Sequence, residues 1–359
     1  MTTVRDRVDF GYPTRTVRTR WFSGRIGVRL MAVSAGLLTL GVVVSVLSLG
    51  LGDYGLGLDE VRRALLGSGE AFHRIIVTEW RLPVALAALV FGALLGIGGA
   101  IFQSLTRNPL GSPDVIGFDA GSYTGVVLTI LLFGAGSYWN VAGAALAGGL
   151  LTAFAVYLLA YRGGISGFRL IIVGIGISAM LNSVNAYLIT RAQIDEAMSV
   201  GFWQAGSLSR VTWSGMLPAL LTATVIMGAT IVLAPALRRL ELGDDAAVTQ
   251  GTRVGTVRLL LLVVGVSTSA LVTAAAGPIA FIALLAPQIA RRLTRSPGVS
   301  VLSAAAMGAA LLASAHLLTL LIAEVYRAIP VGLLTVCLGG VYLIWLLVYE
   351  ARRQHGTLP

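Results

Sequence analysis

The residues that could do chemistry are few, and their types exclude most of it. All 26 basic residues are arginine, whereas a phosphate-cradling loop of the form G-x-x-x-x-G-K-[ST] needs a lysine. The chain therefore cannot hydrolyse ATP by that route. His73, His316 and His355 are scattered without helical i, i+4 spacing, so no metal site is expected within the chain. The single Cys337 rules out an internal disulfide and reads as a small buried hydrophobe. The most suggestive polar segment is the run from Leu240 to Gly251, in which Asp244, Asp245, Ala246, Ala247 and Gly251 give an acid-Ala-Ala pattern closed by glycine. Such a run makes a short helix with a small-residue surface able to enter a groove on another protein, ended by a glycine. Taken alone, the pattern also fits many ordinary helices.

The elements that must carry these residues are written in hydropathy. The 359 residues are 56% hydrophobic and 12% charged, and the mean hydropathy is +0.86. That is far more apolar than the roughly 45–50% apolar, 25% charged usage of soluble domains. An all-helical polytopic membrane protein of about ten spans is expected, over 30–52, 83–104, 115–134, 141–160, 170–190, 215–236, 257–276, 278–290, 300–322 and 331–349. The eighth stretch is too short to span comfortably, because Gly277-Pro278 breaks the preceding helix and Pro287 lies near its end. The N-terminal segment lacks the apolar core and small-residue cleavage site of a signal peptide, so 30–52 reads as a retained span.

Charge then sets the topology. With the N-terminus inside, the arginines of the tail and those at 107, 162, 169, 238, 239, 253, 258, 291, 292, 295, 352 and 353 all fall on the cytoplasmic side. The outer side receives only Arg62, Arg63, Arg74, Arg81, Arg191, Arg210 and Arg327, accompanied by acids such as Asp59 and Glu60. This asymmetry predicts an even number of spans with both termini cytoplasmic, and it accounts for the formal charge of +10 without nucleic acid. The chain divides into a basic tail over 1–29, a membrane domain over 30–350 and a short tail over 351–359, with the acid-Ala-Ala run in a cytoplasmic loop at about 237–256. The outer connection 53–82 carries an amphipathic helix pattern at Leu56, Leu58, Val61, Leu65 and Leu66. Gly92, Gly96 and Ala100, at steps of four, predict one helix packed closely on another.

Between the second and third spans lies a turn, Thr106-Arg107-Asn108-Pro109-Leu110-Gly111-Ser112-Pro113-Asp114. Ser112 is placed to cap the next helix, Pro113 to take its first position and Asp114 to complement its dipole. Together with Arg81-Leu82-Pro83, the glycine-rich second span, Gly277-Pro278-Ile279-Ala280-Phe281-Ile282 and Pro330-Val331-Gly332, this turn resembles the iron-siderophore and cobalamin permease family. Gln288 and Gly339-Gly340-Val341 are similar to the ferric-enterobactin branch.

That resemblance implies a ten-helix permease subunit of the type II ABC importer architecture, paired with a second and usually different permease. It further implies two cytoplasmic ABC ATPases that bind ATP and magnesium, an external siderophore-binding protein, alternating access, and no cofactor or catalysis in this chain. Asp244, Asp245, Ala246, Ala247 and Gly251 would form the coupling helix on the ATPase, and Asn108, Pro109 and Leu110 the cytoplasmic gate. Arg81 would meet acidic groups of the binding protein. Val84 and Leu321 stand where relatives carry arginine, which shifts part of that docking to Arg62, Arg63 or Arg327.

Two other readings make different demands. A gradient-driven carrier needs ionisable groups within its spans, and only Asp119 and His316 lie clearly inside them. Asp119 also reads simply as a partly hydrated group near the cytoplasmic entrance. A mere membrane anchor has no use for ten spans with broken helices and small-residue packing.

Overall fold

The structure is a computed structural model that describes residues 14–18, 23–134, 138–161 and 167–354. Its helices, in chain order, begin with α1 Val28–Ser48, α2 Leu58–Leu65, α3 Ala71–Ile75 and α4 Leu82–Thr106. They continue with α5 Pro113–Ile116, α6 Phe118–Phe133, α7 Tyr138–Ala160, α8 Gly167–Arg191 and α9 Ile194–Gln204. The last are α10 Trp213–Glu241, α11 Asp244–Thr249, α12 Val254–Ala276, α13 Ile282–Thr294, α14 Val301–Val325 and α15 Val331–Gln354. A two-stranded antiparallel hairpin, β1 Thr14–Arg18 and β2 Ser23–Gly27, precedes α1.

Each expected span has its helix. Seven of the described helices are long and apolar enough to cross a membrane, and Phe118–Phe133 and Val331–Leu346 form shorter apolar helices. The eighth stretch is the 13-residue α13, which starts only after the non-helical segment 277–281. The second span differs most from expectation. It runs as one helix from Ala71 to Thr106, because a π-helical turn over Ile76–Arg81 joins α3 to α4 where a loop was read. Pro83 causes no break, since it lies where the turn has already altered the ladder. The helix α2 forms, but of the five apolar residues read for it only Leu56 and Val61 are buried, Val61 and Ala64 packing against Leu49, Leu56, Ile76 and Val77, while Leu65 is exposed. Leu58 and Leu66 on its other side are exposed.

The centre of the bundle is α4, 78% buried over its most apolar stretch. Its small-residue face meets α14 of the same chain. A Cβ on Gly92 would collide with the Gly308 carbonyl, one on Gly96 with the Ala304 carbonyl, and one on Gly308 with the Gly92 carbonyl. Backbones in such contact gain dispersion energy that bulkier residues would forbid. Around this pair, Phe91, Leu94, Leu95, Met216, Val272, Ile282 and Leu312 form the main core. Cys337 does not join a core: it lies on the exposed side of α15, against the expectation of burial.

Candidate coupling and gating site

At one end of the bundle, the last turn of α4, the turn after it, α11 and α13 converge. Asp244 opens α11, and Gly251 closes it with φ +76. The Gly251 N–H bonds the Val248 carbonyl at 2.9 Å and the Thr252 N–H bonds the Ala247 carbonyl at 2.9 Å. These two bonds form a Schellman ending, in which the glycine supplies the left-handed residue. The glycine's role as a stop is therefore met, and a Cβ there would meet open space.

The alanines behave differently from expectation. Ala247 is fully buried against Leu237, Leu240, Ile97, Ile101 and Leu261, so it seats α11 on its own chain. The surface that α11 and its lead-in present outward is Leu242, Asp245 and Val248. Asp244 also turns inward: its Oδ1 accepts from Arg107 Nη2 at 2.9 Å and from Arg258 Nη2 at 2.7 Å.

Arg107 is the residue at which α4 stops, in a left-handed conformation with φ +50. Its guanidinium also reaches the Leu240 carbonyl at 3.2 Å, and Ser104 donates to Glu241 Oε1 at 2.6 Å. The end of α4 is thus bonded at three points to the junction of α10 and α11. Asn108, Pro109 and Leu110 follow at once. Asn108 Oδ1 accepts the Leu110 N–H at 2.9 Å, and the Asn108 carbonyl accepts the Gly111 N–H at 2.9 Å, so the turn is closed by its own asparagine.

On the other side, Gln288 of α13 donates to Gln103 Oε1 at 2.6 Å, and Gln103 donates to the Leu284 carbonyl at 3.0 Å. A cavity of about 320 Å³ opens among Gln103, Arg107, Asn108, Glu241, Gln288 and Arg291. Arg107, Arg258, Glu241 and Ser104 were not singled out by sequence reasoning; the one signal for them was the adjacency of Arg107 to Asn108.

The helix start after this turn also departs from the sequence reading. Ser112 occupies the cap position and Pro113 the first position, but Ser112 makes no capping bond and its buried hydroxyl has no partner among the described residues. Asp114 does stand in the first turn of α5, as read, and its carboxylate also accepts the backbone N–H of Phe281, 2.8 Å away. Asp119 accepts from Ser269 at 2.5 Å and Thr273 at 3.2 Å, both on α12.

At the opposite end, Arg81 is not a free docking charge. Its guanidinium donates to the Leu49 carbonyl at 2.9 Å and the Tyr54 carbonyl at 2.6 Å, tying α4 to the connection after α1. Arg62 and Arg63 are exposed and both pair with Asp59 within α2. The hydrogen bond from Arg62, followed by Arg63, holds the Asp59 carboxyl below its ordinary value. Arg327 stands exposed in the connection between α14 and α15.

The fold is similar to that of a solved structure described as an inward-facing conformation of a putative metal-chelate-type ABC transporter. The TM-score is 0.75 and the identity 26%, over 89% of this chain and 99% of that one. That fold is the one of a multi-pass helical permease of the ABC importer class. The chain belongs to the FecCD transport family, whose model matches residues 38–349. It is 44% identical to the ferric enterobactin transport system permease protein FepG of Escherichia coli, over 91% of this chain and 98% of that one. It is 36% identical to FepD of the same system, over 76% and 81%. The iron(3+)-hydroxamate import system permease protein FhuG of Bacillus subtilis is 34% identical, over 89% and 97%. Members of this family are permease subunits and not themselves enzymes.

Proposed function

We propose that this chain is one of two permease subunits of a bacterial inner-membrane importer, moving a ferric catecholate siderophore of the enterobactin type into the cytoplasm by alternating access. The observation that carries the reading is the seating of α11 on the α4 turn, in a chain that resembles a ferric enterobactin permease over nearly its full length. A helix with an exposed Leu242–Asp245–Val248 surface, bonded at its root to a turn beside a polar cavity, suits the passage of force from a motor to a gate. The motor is a pair of cytoplasmic ABC ATPases, which bind ATP and magnesium, and both termini of this chain lie on their side of the membrane. Asp245, Val248 and Gly251 carry the coupling contact, Ala246 and Ala247 support it from behind, and Asn108, Pro109 and Leu110 form the gate.

The second permease is a homologous but different chain, as FepG and FepD are two permeases of one system. An external binding protein delivers the cargo and docks through Arg62, Arg63 and Arg327, where exposed charge steers association. The test is reconstitution of both permeases with the ATPase in liposomes, followed by uptake of ferric enterobactin with and without ATP on the cytoplasmic-equivalent side. Uptake that needs ATP and the binding protein is the expected result. Uptake driven by a proton gradient alone overturns the proposal.

A further inference from the structure

We propose that Arg107 is a positioning residue for the gate: through Asp244, it latches the direction in which the Asn108-Pro109-Leu110 turn leaves α4 to the position of α11. This rests on the function proposed above. Asp244 holds two arginines that differ in kind. Arg258 is 13% exposed at its side chain and Arg107 is 51% exposed, while both share the one oxygen Oδ1. The pair with Arg258 roots the acid at the head of α12.

The pair with Arg107 is of the exposed kind, weak enough to be made and broken in every cycle. Arg107 also holds a left-handed backbone conformation that only glycine adopts without cost. Its two side-chain bonds, to Asp244 and to the Leu240 carbonyl, both end on the α10–α11 junction. When α11 is in place, those bonds support the strained residue, and the turn points as observed. When α11 shifts, the support is withdrawn and the backbone at Arg107 is free to change the exit angle of the turn. The cavity beside it, bounded by Asn108, Gln288 and Arg291, gives the turn room to move.

The test uses the complete reconstituted complex and reads molecules transported per ATP hydrolysed. Arg107→Ala is expected to keep binding-protein-stimulated hydrolysis within about two-fold of wild type while lowering transport per ATP at least five-fold. Arg107→Lys, which retains the charge, should recover part of the loss. A second measurement guards against a folding defect. Val299 borders the same cavity, so V299C in a C337S background, labelled by a membrane-impermeant maleimide, reports its opening. The labelling rate should change on ATP addition with Arg107 present and not in R107A. If R107A transports normally per ATP and its cavity still responds, the latch is wrong. If wild type shows no ATP-dependent uptake at all, it is the proposed function that fails.

Discussion

Asp114 and Phe281 are joined across 167 residues of sequence, the carboxylate Oδ2 accepting the backbone N–H at 2.8 Å. Phe281 adopts φ +68 at the point where α13 begins, and its ring fills the place a side chain at Gly339 would need. The first turn of α5 therefore fixes the break before α13, and the break in turn fixes α15. Removing the acceptor leaves a part-buried N–H without a partner, which costs about 1–3 kcal/mol. Asp114→Ala is expected to lower the thermal midpoint in detergent by several degrees and to raise proteolysis near 277–281. Asp114→Asn keeps an acceptor and should stay close to wild type.

The contact of α4 with α14 predicts a sharp contrast between glycines. Gly96→Leu drives a side chain into the Ala304 carbonyl, which is backbone and cannot swing aside. It should abolish folded protein in a fluorescence-monitored melt. Gly36 of α1 has nothing within reach of a Cβ. Gly36→Ala should be neutral or stabilise by up to about 1 kcal/mol through helix propensity.

Gly251 is left-handed and surrounded by open space. Gly251→Val thus strains only the end of α11, by about 1–2 kcal/mol. The complex should assemble and hydrolyse ATP, with uptake reduced more than ten-fold. Gly251→Asn, which tolerates the left-handed region, should retain most transport. Normal uptake in the valine variant would remove α11 from the coupling path.

Arg81 and Arg327 separate two meanings of an arginine at the end of the bundle away from α11. Arg81→Ala removes two bonds to carbonyls of the α1–α2 connection, so the melt should shift by several degrees whether or not the binding protein is present. Arg327→Glu should leave the melt alone and weaken binding-protein affinity, more at 20 mM than at 300 mM salt, because exposed charges are screened over about 10 Å at 0.1 M.

Asp119→Asn preserves an oxygen to accept from Ser269 and Thr273. Full ATP-driven uptake is the expected result. Loss of uptake in a well-folded variant with normal ATPase association would instead give the carboxylate a part in ion transfer.

What could be read from sequence follows from how local each signal is. Hydropathy marks a span within its own twenty residues, so every expected span has its helix, and the period-four glycines announced a close contact before its partner was known. The identity of that partner, Gly308 and Ala304 on α14, lies some two hundred residues away and has no local sign. Arg81 looked free because the carbonyls of Leu49 and Tyr54 are not visible as side-chain types. Ala247 looked like a surface for the same reason: whether a small residue faces outward depends on Leu237, Leu240 and Leu261 around it. The π turn at 76–81 was missed because its residues, with Glu79, Trp80 and Arg81 before a proline, carry the composition of a loop end.

At Gly92, Gly96 and Gly308 the backbones of α4 and α14 touch with no side chain between them, so these are points where added bulk cannot be absorbed by a side chain swinging aside. The left-handed residues Arg107, Gly251 and Phe281 all lie away from that contact, at helix ends. The helix α8 lies at the other extreme: only 11% of its most apolar stretch is buried within its own chain, the lowest share among the seven long apolar helices.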